Sequence, residues 1–300
     1  MAVANTAKHT TGSIAWTEAP LHLNPMKESR SRAVLRIGRQ MTYDNIVCSR
    51  PAQHVFEIRF NHPERLNAVD ETVVADLNAA LDSVEKDKDV RVVILSGEGR
   101  AFCAGANYKR HVRGDRTMYE KQEYVRQLFD TCRHLYRFPK PIIVAVQGYS
   151  VGVGAEMCLN CDFIVMAENA ELGFPEVAIS TFVGGGVTKT LARLVGLSKA
   201  REMIMLSDRI TGKQAVEFGL AARCVPEASL RDETLAFARR LAERAPVSVA
   251  LAKQLINTEC DYDDLLSLER EAVLTCMMTE DWHEGVRAFA KKRTPVFKGR

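Results

Sequence analysis

Nowhere in this chain do about 18 apolar residues follow one another, the least that a membrane-spanning helix requires. A lopsided charge is missing as well. Lysine and arginine total 41 against 38 for aspartate and glutamate, a net charge of +3, which gives no reason to expect nucleic acid as the main partner. No secretory hydrophobic region and no cysteine framework is visible. The eight cysteines, Cys48, Cys103, Cys132, Cys158, Cys161, Cys224, Cys260 and Cys276, are scattered, so reduced thiols in the cytoplasm are the expectation. Cys158-Leu159-Asn160-Cys161 has CxxC spacing. No second pair completes a zinc site, and the motif trails a helix instead of opening one, so it reads as buried structure. His62, His111, His134 and His283 stand isolated in the sequence, and no metal-ligand cluster is expected.

What the chain does have is a hydrophobic fraction of 46%, enough for a real core in one large domain or two small ones. Residues 1–40 are polar and aperiodic and contain Pro20 and Pro25, whereas Met41-Thr42-Tyr43-Asp44 looks like a natural start. They read as a disordered extension or an upstream start codon. A mitochondrial transit peptide is the alternative, because Arg30, Arg32, Arg36 and Arg39 cluster with serines; Glu18 and Glu28 count against it.

From residue 54 short β-branched runs alternate with helical stretches. Val55–Phe60, Val90–Leu95, Ile142–Val146 and Phe163–Met166 are predicted strands. Val74, Leu77, Leu81 and Val84 share one helical face, and Asp115–Phe138 reads as a longer helix ended by Pro139. Repeated strand–loop–helix units imply an α/β fold over residues 41–225. Residues 226–300 carry helices alone, at about 231–244, 246–257, 262–278 and 280–292, with Pro246 suited to a first turn. Leu265, Leu268, Ala272 and Cys276 give one of them an apolar stripe. So large a helical tail has little of its own core to cover, and part of it is expected to pack on another subunit.

Two glutamates lie 20 positions apart, each framed by backbone suited to close approach. Glu156 closes Gly152-Val153-Gly154-Ala155-Glu156, and Glu176 closes Glu171-Leu172-Gly173-Phe174-Pro175-Glu176. A glycine run opening an apolar helix brings unpaired amides up to a ligand. A second loop of small residues, Gly97-Glu98-Gly99-Arg100-Ala101-Phe102-Cys103-Ala104-Gly105-Ala106, also follows a strand, and the N–H of Ala106 can be aimed at an oxygen. Two such donors from two loops make an oxyanion hole. Two carboxylates facing one site do not both ionise cheaply, so they separate into an acid and a base.

These motifs, in this order, resemble the enoyl-CoA hydratase/isomerase (crotonase) family. The resemblance runs from about Tyr43 to Lys298 and includes Asn61-His62-Pro63-Glu64-Arg65-Leu66-Asn67-Ala68, Arg100–Ala106, Pro139-Lys140-Pro141 through Gly154, Gly173–Glu176 and Leu194-Val195-Gly196-Leu197. It implies a spiral of ββα units with a C-terminal helical trimerisation region, assembled as a trimer or a dimer of trimers. It also implies an acyl-CoA substrate with no separate cofactor and no metal. The thioester oxygen would lie between the N–H groups of Ala106 and Val153. Glu156 would activate water for attack at C3, and Glu176 would protonate C2. Arg65, Ala104, Asn107, Tyr108 and Lys109 would line the CoA, Gly152 and Gly154 would bring backbone to it, and Lys292 and Phe297 resemble a tail that reaches CoA phosphates, often across a subunit boundary.

Departures concern substrate choice. Val153 stands where most relatives carry glycine, Asn107 replaces an aspartate, and Phe182-Val183 precedes Gly184-Gly185-Gly186 where an Ile/Leu-Pro pair is common. Gly184, eight residues after Glu176, stands where dienoyl-CoA isomerases carry an aspartate. Simple Δ3-Δ2 isomerases usually keep only the later glutamate, and dihydroxynaphthoyl-CoA synthases lack the first, so retention of Glu156 favours hydration. An isomerase or hydrolase using the same hole is the alternative. An RNA-binding relative would need a basic stripe, but the stretch from Lys109 to Arg137 mixes Arg113, Arg116, Arg126 and Arg133 with Asp115, Glu120, Glu123 and Asp130. A nicotinamide site fits poorly, since Gly152-Val153-Gly154-Ala155-Glu156-Met157 lacks the third glycine of GxGxxG.

Overall fold

The computed structural model describes residues 43–108, 114 and 116–300. The expected N-terminal extension and Lys109 lie outside the described residues. Strand β4 (Ile142–Val146) shows the logic of the main sheet: its sequence is Ile-Ile-Val-Ala-Val and every residue is buried, as a strand covered on both faces requires. Its neighbours are β1 (Ile46–Ala52), β2 (Val55–Phe60), β3 (Val92–Gly97), β6 (Phe163–Ala167) and β9 (Arg223–Val225), in the order β1-β2-β3-β4-β6-β9. All pairings are parallel except β1 with β2. A second sheet is ordered β5-β7-β8, from Tyr149–Val151, Glu171–Gly173 and Arg209–Thr211. The chain passes from one sheet to the other between β4 and β5, β5 and β6, and β6 and β7, so successive turns wind as a spiral.

Helix α1 (Glu71–Glu85) buries Val74, Leu77, Leu81 and Val84, the face marked out by periodicity, and Asp70 caps it by accepting from the amides of Thr72 and Val73. Helix α2 (Met118–Arg137) opens on a capping box between Thr117 and Glu120. Along its exposed side Arg126 pairs with Glu123 and Asp130, and Arg133 with Asp130. Further helices are α3 (Val153–Leu159), α4 (Val187–Val195), α5 (Leu197–Arg201) and α6 (Gly212–Glu217). No helix among the described residues is long and apolar enough to cross a membrane.

Beyond β9 come α7 (Leu230–Ala242), α8 (Pro246–Ile256), α9 (Tyr262–Met277) and α10 (Glu280–Ala290). They divide unequally between core and surface. Helix α7 buries Leu230, Thr234, Ala238 and Ala242 against β3 and β4, so it belongs to the core. Helix α8 is tied down by Lys253, whose Nζ lies 2.8 Å from Asp162 Oδ2 and donates to the Lys140 carbonyl at 3.2 Å. Helix α9 buries none of its residues. Leu266, Val273 and Leu274 on it, and Trp282 and Phe289 on α10, remain exposed.

Candidate active site

The site is assembled by strand register. β5 is bridged in parallel to the loop after β3, with Cys103 opposite Ser150. The Cys103 amide donates to the Tyr149 carbonyl and the Val151 amide to that of Cys103, both at 3.0 Å. Ala106 itself is bridged to Val69, and Gly105 before it passes close to Val151 and Gly152, the two residues before Val153. The two chains touch there: a Cβ built on Gly105 would sit 3.0 Å from the Val151 carbonyl oxygen and 3.9 Å from the Gly152 Cα. Gly105 and Gly152 both have positive φ, 94° and 55°, so glycine answers both to the close approach and to the backbone conformation. Neither the Ala106 N–H nor the Val153 N–H donates to an acceptor among the described residues. Val153 is the first residue of α3, where helix geometry leaves its amide unpaired.

Glu176 arrives by the other edge of β5. Val151 pairs with Gly173 of β7, and three residues later Glu176 lies beside the start of α3, its Oε1 only 2.8 Å from a Cβ built on Gly152. Glu156, one turn into α3, is fixed from a third direction by the Gly184 amide, which donates to Oε1 at 2.6 Å. Both carboxylates are 5% exposed. Burial pushes Glu156 up to about 7 against the opposing pull of the Gly184 amide, and the neighbouring Glu176 charge adds to the rise. Burial likewise raises Glu176, whose Oε2 has no hydrogen-bond partner among the described residues. Tyr108 stands near both: burial raises its hydroxyl, and the charges of Glu176 and then Glu156 add to this.

The raised carboxyl of Glu156 has a consequence for stability. Below the ordinary value of 4.5 the group is protonated folded and unfolded alike. Between there and about 7 only the unfolded chain ionises, so folding loses free energy with each step of pH. Above that range the loss is complete, at up to about 3 kcal/mol. Glu156→Gln is therefore expected to stabilise the protein at pH 8 and to leave it unchanged at pH 4. Urea titrations at the two pH values check this; an equal effect at both would contradict it.

The other residues singled out in the sequence fall into two groups. Arg65 lies 3.2 Å from Asp70 Oδ2, the same oxygen that accepts from Asn107 Nδ2 at 3.5 Å, and the Ala104 amide donates to the Leu66 carbonyl at 2.9 Å. These contacts knit Arg65, Ala104 and Asn107 together behind Ala106. Lys292 and Phe297 are not brought to the glutamates within one chain. The Phe297 carbonyl accepts from Arg91 at 2.7 Å, at the opposite end of β3 from the Ala106 loop, and Lys292 lies exposed after α10. Nor is His134 isolated, as the sequence suggested. The ends of α1 and α2 converge there, and its ring bonds Asn78 at 2.9 Å beside exposed Asp82 and Glu85.

Two residues that shape the site were missed. Asn67, with φ 56°, accepts from the His62 amide and donates to the Glu98 and Ala101 carbonyls, which sets the loop leading to Ala106. Asparagine tolerates the left-handed region, but nothing in the sequence locates the turn. Gly184 is the other: it was read for the aspartate it lacks, not for the amide it offers.

The family model for enoyl-CoA hydratase/isomerase matches residues 50–300. The chain belongs to the enoyl-CoA hydratase/isomerase family. The 2,3-dehydroadipyl-CoA hydratase of Escherichia coli K12 is 35% identical over 254 residues, 83% of this chain and 96% of that protein. A probable mitochondrial enoyl-CoA hydratase of Dictyostelium discoideum is 33% identical over 242 residues, 80% and 86% of the two chains. The crystal structure of an enoyl-CoA hydratase from Bacillus anthracis matches with a TM-score of 0.82 at 34% identity, over 85% of this chain and 100% of that one. The α/β spiral with its helical C-terminal region is thus the crotonase fold expected from the motifs.

Proposed function

We propose that the protein is a 2-enoyl-CoA hydratase, adding water across the C2–C3 double bond of an acyl-CoA thioester. The observation that carries this reading is the pair of buried glutamates beside two unpaired amides from converging loops. The thioester oxygen accepts from Ala106 and Val153, which draws electron density from the conjugated double bond and makes C3 electrophilic. Glu156 takes a proton from water as its oxygen bonds to C3. The enolate charge gathers on the thioester oxygen, where each preorganised donor is worth about 3 kcal/mol. Glu176 supplies the proton to C2, and proton exchange with solvent resets the pair. A carboxylate raised to about 7 is matched to proton transfer at neutral pH, because it is basic enough to accept a proton while about half of the molecules still carry it ionised.

Acyl-CoA is the substrate in this reading, and no separate cofactor enters. Assembly as a trimer or a dimer of trimers accounts for a helix, α9, that buries nothing in its own chain. The buried Val153 side chain forms part of the acyl pocket wall. Val153→Gly is expected to raise kcat/KM for longer enoyl-CoA esters relative to crotonyl-CoA by about tenfold, the scale of a methylene or two in a pocket. An unchanged ratio across a chain-length series would show that Val153 does not shape the pocket.

Turnover in ¹⁸O-labelled water tests the reaction class. Hydration places one heavy oxygen at C3 of a 3-hydroxyacyl-CoA. An isomerase yields a product of unchanged mass, and a hydrolase carries the label into a free acid.

A further inference from the structure

We propose that Asn160 is a positioning residue, which holds the Gly184–Gly185 turn against the Glu156 carboxylate. Helix α3 ends one turn after Glu156, and the amide of Asn160 bonds the carbonyls of Met157 and Cys158 in a tightened last turn. The Glu156 carbonyl is thereby left without the backbone donor that a longer helix would supply. The Asn160 side chain takes its place: Nδ2 donates to the Glu156 carbonyl at 2.8 Å and, with its second hydrogen, to the Gly185 carbonyl at 2.9 Å. Both donors of the side-chain amide are used, and the residue is 5% exposed.

The geometry is closed on every side. The Gly184 amide reaches the Glu156 carboxylate at 2.6 Å, one residue from the carbonyl that Asn160 holds. A Cβ on Gly184 would lie 3.0 Å from Glu156 Oε2 and 3.0 Å from the Phe129 ring, and one on Gly185 would lie 2.9 Å from Cys132 Sγ and 3.1 Å from Asn160 Nδ2. The turn can come this close only because it is glycine, and three successive glycines have no stiffness of their own. Asn160 supplies the constraint from outside, linking the end of the helix that carries Glu156 to the loop that solvates its carboxylate.

The groups facing Glu156 are Glu176 from the loop after β7, Tyr108 from the loop after β3, and the Cys132 thiol on α2. Against them stands the Gly184 amide, which favours the ionised carboxylate. Loss of the Asn160 clamp lets that amide drift, so Glu156 holds its proton to higher pH. The effect on turnover rests on the hydratase reading, but the titration itself does not.

The experiment follows Glu156 in protein labelled with ¹³C-glutamate, with the resonance assigned by its loss in Glu156→Gln. Asn160→Leu keeps the shape and removes both donors; Asn160→Gln keeps an amide at the wrong reach. The expected result is a midpoint raised by about one pH unit in Asn160→Leu and by less in Asn160→Gln, with kcat falling and KM nearly unchanged. An unmoved midpoint in folded Asn160→Leu overturns the proposal. Should that variant fail to fold, an unmoved midpoint in Asn160→Gln does the same. A shifted midpoint in a protein that hydrates no enoyl-CoA would leave the clamp standing and remove the hydratase reading.

Discussion

Glu176→Gln is expected to abolish hydration while leaving CoA binding within a few-fold of wild type. The side chain is buried, and its Oε2 has no partner among the described residues, so the substitution breaks no bond at that oxygen. Glutamine keeps the shape and cannot carry a proton between solvent and C2. General acid–base groups contribute about 10²–10⁴ in rate, and a loss of that size in kcat is the prediction. Steady-state kinetics with crotonyl-CoA, beside calorimetric titration with CoA, separates the two effects. Normal turnover by the variant would remove Glu176 from the mechanism. Loss of CoA binding together with rate would mean that the residue builds the pocket instead of moving a proton.

The second large effect concerns an amide that no side-chain substitution reaches. Val153 occupies the first position of α3, where proline is tolerated because the N–H there has no helical partner. Val153→Pro deletes that donor and keeps the helix. Removing one donor of an oxyanion hole costs about 10²–10³ in kcat, and that loss is expected here, with Val153→Gly as the control that retains the N–H. Equal rates for the proline and glycine variants would show that the Val153 amide does not stabilise the enolate.

How much of this was legible in the chain depended on the length over which a pattern had to persist. The predicted strands Val55–Phe60 and Ile142–Val146 match β2 and β4 in full, and the apolar face of α1 is buried as periodicity required. The strands β5, β7 and β8 have three residues each, too few to show an alternation, yet β5 ties Val151 to Cys103 and its pairing with β7 sets Glu176 beside Gly152. The glutamates and glycine loops were visible because their chemistry is written in residue type. The contacts that aim them, Gly184 on Glu156 and Asn160 on Gly185, join residues 28 and 25 positions apart through a turn of glycines that has no local signature. Lys292 and Phe297 rest on resemblance alone; the fold sets Phe297 at the far end of β3 from the Ala106 loop and leaves Lys292 exposed after α10.

Hydration of an enoyl-CoA by two glutamates and two amides has a simple optical readout. Following the loss of conjugated thioester absorbance of crotonyl-CoA, with wild type and Glu156→Gln side by side, tests it most directly. Rapid loss is expected with wild type, and a rate lower by about 10² or more in the variant. Equal rates in the two proteins would contradict it, as would a wild type inert toward crotonyl-CoA and toward longer 2-enoyl-CoA esters.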